Sequence, residues 1–260
     1  PKFEYVTLEE KGTNGRVGLV TLIRPKALNA LFSPLMDDLL GAMNHLDNDP
    51  NVGAIVLTGS QKAFAAGADI KEMQNRTFAA NFKVNFLEYW GNITKVRKPI
   101  VAAVNGYALG GGCEVACSCD IRIASSRAIF GTPEIKLGLI PGYGGTQRLV
   151  KLVGYGRAME MMMTGNNVSA EEAYRCGIAN HLCEPEDLEA KTMEIAQTIA
   201  SKSMHTLRVA KTTIRAALDH GITEGVAIEA EAFANLFDTE DKEIGVQAFL
   251  NRTNPEWKHR

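Results

Sequence analysis

The stretch Gly106-Tyr-Ala-Leu-Gly-Gly-Gly-Cys-Glu114 follows a buried strand pattern at residues 100–104 and leads into a helical pattern. Three consecutive glycines at a helix start let the backbone approach a ligand closely, and they leave unpaired N–H groups at the positive end of the helix. Such an end suits an oxyanion. The same glycines also suit a tight turn that packs a strand against a helix, and composition alone leaves both interpretations open.

Short apolar runs alternate with helical patterns on both sides of this stretch, which is typical of an α/β fold. Residues 16–23, 52–58 and 121–124 have the composition of further strands. Between the first two, Ser33 and Pro34 predict a helix start with Ser33 as the N-cap, and apolar residues then recur at helical spacing.

The second half of the chain has a different pattern. From about Gly144 the strand patterns disappear and helices follow one another. Ser169 and Glu172 form a capping box, Gly177 ends that helix, and Pro185 opens the next. The simplest interpretation is one α/β core followed by a helical C-terminal lobe.

Composition argues against several classes of protein. The 260 residues have a net charge of −2 and 45% hydrophobic residues, which predicts a soluble protein without a nucleic-acid or membrane partner. Five cysteines, an odd number, fit reduced thiols better than a disulfide framework. The cysteine spacing lacks paired metal-binding knuckles, so we expect no metal. No dinucleotide or phosphate-loop motif fits the glycines, so we expect no nucleotide site of that kind.

A second loop of small residues, Ala63-Phe-Ala-Ala-Gly-Ala-Asp-Ile-Lys71, follows the predicted strand at 52–58. Open α/β sheets bind ligands in crevices at the carboxyl ends of their strands. One N–H group from this loop and one from the glycine turn can converge on a single carbonyl oxygen, the arrangement that stabilises an enolate.

Two glutamates attract attention for the same geometric reason. Glu114 lies in the first turn after the glycines, and Glu134 lies in Phe130-Gly-Thr-Pro-Glu134 among small and apolar residues. Both can point into one pocket as an acid–base pair. The alternatives are a charge partner for the helix N-terminus at Glu114 and a surface turn at Glu134, and spacing does not decide between them.

Three longer motifs carry a resemblance to a known family. They are Phe64-Ala-Ala-Gly-Ala-Asp-Ile-Lys-Glu-Met73, Asn105-Gly-Tyr-Ala-Leu-Gly-Gly-Gly-Cys-Glu114, and Pro133-Glu134 with Ile140-Pro-Gly-Tyr-Gly-Gly-Thr-Gln-Arg-Leu149. In this order they resemble the enoyl-CoA hydratase, or crotonase, family, and within it the short-chain mitochondrial enoyl-CoA hydratases. The resemblance covers nearly the whole chain, including Arg24-Pro-Lys-Ala-Leu-Asn-Ala-Leu31.

The resemblance implies an α/β fold with a four-turn β-spiral core over residues 1–200 and a helical trimerisation region over 201–260. We therefore expect a homotrimer or a hexamer built as a dimer of trimers. An apolar stripe at Phe233, Phe237, Phe249 and Leu250 fits packing between subunits, although such a stripe is more often plain core. The implied location is the mitochondrial matrix for a eukaryotic protein, with the targeting segment absent from this chain, and the cytoplasm otherwise.

The resemblance also implies an activity, the addition of water to trans-2-enoyl-CoA to give 3-hydroxyacyl-CoA in fatty-acid β-oxidation. Coenzyme A then enters as part of the acyl-CoA thioester substrate, and no further cofactor or metal is implied. Glu114 and Glu134 match the catalytic pair, and Ala66 and Gly111 match the two backbone donors to the carbonyl oxygen. The implied substrate-binding residues are Lys26, Ala66, Gly67, Ala68, Asp69, Ile70 and Gly111.

The chain departs from the family pattern at three places. Tyr143 stands where a small residue is frequent, the segment Cys117-Ser-Cys119 is more polar than usual, and the tail lacks a common Lys-Arg pair. These departures put the pocket shape, the nearby packing and a basic contact from the tail to coenzyme A in question. We expect residues 74–90 to form the floor of the acyl pocket.

Two rival functions remain at this stage. A delta-3,delta-2-enoyl-CoA isomerase uses the same oxyanion hole, but many isomerases keep only one of the two glutamates, so the pair favours hydration. An RNA-binding relative needs a dense basic comb on a helix. The cations here are interspersed with apolar residues, which favours solvated surface charge; they are Lys71, Arg76, Lys83, Lys95, Arg97 and Lys98.

Overall fold

Ten strands form two sheets in the computed structural model, which describes residues 2–13, 16–74, 76–79 and 86–260, the side chains of 86–88 excepted. The strands are β1 (Val6–Lys11), β2 (Val17–Leu22), β3 (Ala54–Thr58), β4 (Ala63–Ala65), β5 (Ile100–Val104), β6 (Tyr107–Leu109), β7 (Ile121–Ser125), β8 (Ile129–Gly131), β9 (Val168–Ser169) and β10 (His181–Cys183).

The described helices lie between and after these strands. They are α1 (Ser33–Asn48), α2 (Ile70–Met73), α3 (Phe86–Gly91), α4 (Gly111–Ser118), α5 (Gly145–Val153), α6 (Tyr155–Thr164), α7 (Ala170–Cys176), α8 (Leu188–Ala200), α9 (Met204–Ala216), α10 (Ile222–Leu236) and α11 (Glu240–Asn251). Short 3-10 helices cover Pro25–Ala27, Asn92–Lys95 and Pro133–Leu137.

The two sheets are filled in alternation as the chain advances. The six-stranded sheet has the order β1-β2-β3-β5-β7-β10, and the four-stranded sheet has the order β4-β6-β8-β9. Each of the successive pairs β3 with β4, β5 with β6 and β7 with β8 therefore adds one parallel strand to each sheet. Each pair of strands therefore forms one turn of a spiral, which confirms the α/β spiral predicted from the resemblance.

The central strands of the larger sheet are apolar because both of their faces are covered. All five residues of β5 are buried, as expected for a parallel strand that packs against other layers on both sides. Helix α1 buries its apolar side, including Leu39 and Met43, in the main core. Helix α8 covers the other face of the sheet through Ala196 and Ala200.

Three local predictions were wrong. Strands do not disappear after Gly144, because β9 pairs with β8 and β10 extends the larger sheet beside β7. These strands are only two and three residues long, too short for a periodicity signal. Ser33 is the first helical residue of α1, and its hydroxyl donates to Glu72 instead of capping the helix. Helix α8 begins at Leu188 rather than directly at Pro185.

The last three helices carry an exposed apolar face. Ile222 and Phe249 are each 84% exposed, and Phe233, Phe237 and Leu250 are exposed as well. The tail after α11 returns to the body of the protein, where Trp257 Nε1 donates to the Ser201 carbonyl at 2.9 Å. Among the described residues, no helix is both long and apolar enough to cross a membrane.

Candidate active site

The glycine turn places the start of helix α4 directly on the loop that follows β4. Gly110 has φ +50°, and a Cβ atom there would lie 2.9 Å from Glu134 Oε1. A Cβ atom on Gly112 would lie 1.9 Å from the Ala65 carbonyl oxygen, which no side chain tolerates. Glycine is therefore required at both positions, and it allows the backbones of two loops to meet.

The N–H group of Gly111 is unpaired at the head of this helix. Its neighbour Gly110 donates to the Gly131 carbonyl at 2.8 Å, and Glu114 donates to the Gly110 carbonyl at 3.0 Å. Within the described part of the chain, the N–H of Gly111 has no hydrogen-bond acceptor. The first N–H groups of a helix have no intrahelical partner, so this donor is available to a ligand.

The opposite loop offers a second unpaired donor at Ala68. The Gly67 carbonyl accepts from Leu31 N–H and Asp69 N–H donates to the Leu31 carbonyl, both at 2.7 Å. Ala68 N–H lies between these two bonds and donates to no acceptor in the residues that the structure describes. A Cβ atom built on Gly111 would lie 3.8 Å from Ala68 N, so the two free donors are neighbours across the crevice.

This geometry corrects the expectation for Ala66. The N–H of Ala66 donates to the Leu28 carbonyl at 3.0 Å, so it is already satisfied within the protein. The motif contains several alanines, and its letters do not show which N–H group remains free. Ala66 still lines the cavity beside Gly67 and Ala68.

Asp69 and Lys26 are placed differently from the other predicted binding residues. Asp69 caps helix α2 by accepting from Lys71 N–H at 2.9 Å, and it accepts from Arg24 Nη2 at 2.7 Å. The Arg24 hydrogen bond lowers the pKa of the Asp69 carboxyl below its usual range. Asp69 therefore holds the loop in place. Ile70 lines the cavity, whereas Lys26 is exposed on the turn at Pro25–Ala27.

Glu114 is held firmly inside the cavity. Glu114 belongs to the first turn of α4 and is only 3% exposed. Its Oε1 accepts hydrogen bonds from the N–H groups of Tyr143 and Gly145, each at 2.7 Å. Burial raises the pKa of Glu114 to about 7, and the nearby Glu134 carboxylate contributes in the same direction. Because Oε1 is occupied by two donors, Oε2 is the oxygen left for a ligand.

Glu134 enters the same cavity from another element. It lies on the 3-10 helix Pro133–Leu137, and burial raises the pKa of its carboxyl above the ordinary value. Its Oε2 is buried and has no hydrogen-bond partner among the described residues. The two glutamates line one cavity of about 580 Å³ together with Ala68 and Gly111. The structure thus brings together both carboxylates and both free donors.

Two aromatic residues that contact each other line this cavity. Tyr143 and Trp90 pack edge to face with ring centroids 5.6 Å apart, and both line the cavity. Trp90 belongs to the 74–90 segment that the sequence predicts as the pocket floor. Residues 75 and 80–85 of that segment lie outside the described residues.

Among the basic residues weighed for an RNA-binding helix, Lys98, Arg97 and Arg76 have structural partners, whereas Lys71 and Lys95 are exposed at the surface. Lys98 is completely buried and donates to the carbonyls at the end of α1, and Arg97 Nε donates to Asp47 at 2.8 Å. Arg76 pairs with Glu72. Lys83 lies outside the described residues. Among the described residues, no group of three or more His, Cys, Asp or Glu side chains is arranged to hold a metal ion.

Comparison with known proteins decides the family. A family model described as "Enoyl-CoA hydratase/isomerase" matches residues 12–260. The chain belongs to this family. It is 47% identical to the mitochondrial enoyl-CoA hydratase of Pongo abelii, over 98% of this chain and 88% of that protein. It is 43% identical to the short-chain-enoyl-CoA hydratase of Clostridium acetobutylicum, over 95% of each chain.

The solved structures agree with the sequence comparison. An enoyl-CoA hydratase from Bacillus anthracis superposes with a TM-score of 0.92 at 34% identity, covering 99% of this chain and all of that one. This likeness confirms the crotonase fold and the family resemblance that the motifs carried.

Proposed function

We propose that this enoyl-CoA hydratase uses Glu114 and Glu134 as its acid–base pair and the N–H groups of Ala68 and Gly111 as donors to the thioester oxygen. The reaction is the addition of water to trans-2-enoyl-CoA, a hydro-lyase step of fatty-acid β-oxidation that gives 3-hydroxyacyl-CoA. One observation carries the assignment of residues: the carboxylates of buried Glu114 and half-buried Glu134 line the same cavity as two unpaired N–H groups.

The two N–H groups activate the substrate. One lies on the loop after β4 and the other at the start of α4, and they converge where a thioester carbonyl oxygen fits. Hydrogen bonds to that oxygen draw electrons from the conjugated double bond, so the β carbon becomes electrophilic. As water attacks, negative charge develops on the oxygen, where preorganised donors stabilise it without further reorganisation.

The two glutamates handle the protons. A water molecule held between Glu114 and Glu134 gives its oxygen to the β carbon and one proton to a carboxylate, while the α carbon receives a proton from the carboxyl pair. The net change is the addition of one water molecule. Two carboxylates around one water cannot both be ionised cheaply, so we expect the pair to titrate as a unit with one proton shared between them.

The loop after β4 frames the substrate. Gly67, Ala68 and Ile70 line the cavity, and Asp69 supports them through its bond to Arg24. We assign exposed Lys26 as a contact to the phosphates of coenzyme A. The chemistry needs only donors and acid–base groups, so the proposal includes no metal or redox cofactor; coenzyme A arrives as part of the substrate.

We further propose that residues 1–200 form the spiral core and residues 201–260 an assembly region that binds further copies of this chain, as a trimer or a dimer of trimers. The exposed apolar residues Ile222, Phe233 and Phe249 support this assignment, since exposed apolar patches of this kind mark interfaces. Relatives from mitochondria and from bacteria support a location in the mitochondrial matrix or the bacterial cytoplasm.

The decisive experiment follows the conjugated thioester of crotonyl-CoA in the ultraviolet for Glu114→Gln, Glu134→Gln and the double variant. General acid–base groups contribute about 10² to 10⁴-fold each, and groups acting as a unit lose far less together than the product of the single losses. We therefore expect severe and non-additive losses. Glu186→Gln, an exposed glutamate, is the control. A folded single variant with normal turnover contradicts the two-glutamate mechanism, and activity only on β,γ-enoyl-CoA contradicts hydration.

A further inference from the structure

Tyr143 is bonded to the candidate catalytic carboxylate through its backbone. Its own N–H donates to Glu114 Oε1 at 2.7 Å, and its carbonyl accepts from Arg148 Nη1 at 2.8 Å. The backbone of Tyr143 is therefore fixed on both sides. The side chain is only 5% exposed and packs edge to face on Trp90, which is 3% exposed.

The expected path of the substrate leads toward this pair. If the thioester oxygen lies at the N–H groups of Ala68 and Gly111, the β carbon lies at Glu114, which is on the same helical turn as Gly111. A trans double bond directs the remainder of the acyl chain away from the thioester. Tyr143 is bonded to Glu114 through its backbone, and its side chain and that of Trp90 line the same cavity. We therefore expect the acyl chain to meet this pair.

We infer that Tyr143, supported by Trp90, is a specificity-determining residue that closes the acyl end of the cavity and restricts this enzyme to short-chain enoyl-CoA substrates. This inference rests on the proposed site. The restriction is steric. Close-packed interiors do not yield to an extra methylene without moving side chains, and Tyr143 is held by two backbone hydrogen bonds and an aromatic contact.

Substitutions at Tyr143 can separate the steric effect of the ring from the effect of the hydroxyl. Its oxygen is buried without a hydrogen-bond partner among the described residues, so no hydrogen bond anchors the ring through the hydroxyl. Tyr143→Phe therefore keeps the obstructing ring, whereas Tyr143→Leu shortens it and Tyr143→Ala removes it. Tyr174→Ala removes an exposed tyrosine on α7 and is the matched control.

The test measures kcat/KM for trans-2-enoyl-CoA esters of four, six, eight and ten carbons with each purified protein. One methylene that does not fit a pocket changes kcat/KM by about 10 to 200-fold. We expect the parent protein to lose at least about tenfold between the four-carbon and ten-carbon substrates. Tyr143→Ala should raise the ten-carbon to four-carbon ratio at least about tenfold, with Tyr143→Leu intermediate. Tyr143→Phe and Tyr174→Ala should keep the parent ratio.

Several results overturn the inference. A parent protein that hydrates ten-carbon and four-carbon substrates equally well has no such restriction. A folded Tyr143→Ala or Tyr143→Leu variant with the parent ratio shows that another group limits the chain. An equal loss at all lengths shows that Tyr143 only positions Glu114. A parent protein without activity on crotonyl-CoA contradicts the proposed function itself, a result distinct from any change in the ratio.

Discussion

Replacing Glu114 by glutamine should stabilise the folded protein at alkaline pH while it abolishes activity. Burial raises the pKa of this carboxyl in the folded state to about 7, whereas the unfolded chain has the ordinary value of 4.5. The folded state therefore binds the Glu114 proton more tightly than the unfolded state. Its stability contribution is fully present below pH 4.5 and is lost as pH rises through about 7.

The magnitude follows from the same pKa values. A rise from 4.5 to about 7 corresponds to about 3 kcal/mol of destabilisation once the carboxyl is ionised, because one pKa unit is about 1.4 kcal/mol. Glutamine avoids this cost, and its amide oxygen can still accept the N–H groups of Tyr143 and Gly145. At roughly 2–4 °C per kcal/mol, the gain in Tm above pH 7 is at most about 12 °C.

The assay is thermal unfolding of the parent protein and Glu114→Gln between pH 5 and 8, at one protein concentration and one heating rate. We expect a small difference in Tm at pH 5 that grows as pH rises to about 7 and then levels off. The control Glu186→Gln should remain within about 2 °C of the parent throughout, since exposed substitutions change stability little. A difference in Tm that is constant with pH, or a Glu114→Gln variant less stable at pH 8, refutes the reasoning.

Three further predictions concern the donor, the loop and the assembly. Gly111→Pro removes the N–H at a helix position that tolerates proline. A folded variant should lose about 10² to 10³-fold in kcat with little change in KM. A near-normal kcat would show that the donor is another group. Arg24→Met should lower stability at pH 7 by about 1–3 kcal/mol, and this loss should shrink only below the ordinary Asp pKa of 3.8, because Arg24 lowers the Asp69 pKa. Urea unfolding at pH 7 and at a series of pH values below 3.8 measures it, and equal losses throughout contradict it. Light scattering should give a mass well above the 28.2 kDa of one chain, whereas a stable monomer contradicts the assembly proposal.

The sequence predicted the architecture where elements are long and strongly patterned. Helix α1 and strands β3 and β5 have uninterrupted apolar periodicity, and each lies within two residues of its predicted position. Strands β9 and β10 were missed because two or three residues carry no period, and pairing with β8 and β7 defines them instead. The prediction of Ser33 as the N-cap was wrong because its hydroxyl donates to Glu72, which is distant in sequence.

The candidate site was predictable in its residue types and less so in its atoms. The motifs indicated both glutamates and the glycine turn, and the cavity contains them all. They did not show that the Ala66 N–H donates to the Leu28 carbonyl, whereas the Ala68 N–H stays free. That distinction depends on how the segment before α1 packs beside the loop, a tertiary contact absent from either motif. Tyr143 was noticed as a departure, but its packing on Trp90 required the structure.

The start of helix α4 explains why the donor and the carboxylate occur together. Gly111 N–H and Glu114 both belong to its first turn, where the helix dipole favours negative charge on a ligand and on a side chain alike. Two N–H bonds to Glu114 favour its ionised form, whereas burial and Glu134 oppose it, and the balance brings its pKa to about 7. A general acid–base group works best when its pKa lies near the operating pH. In the proposed mechanism, the burial that destabilises the ionised protein therefore also prepares Glu114 to exchange a proton with water.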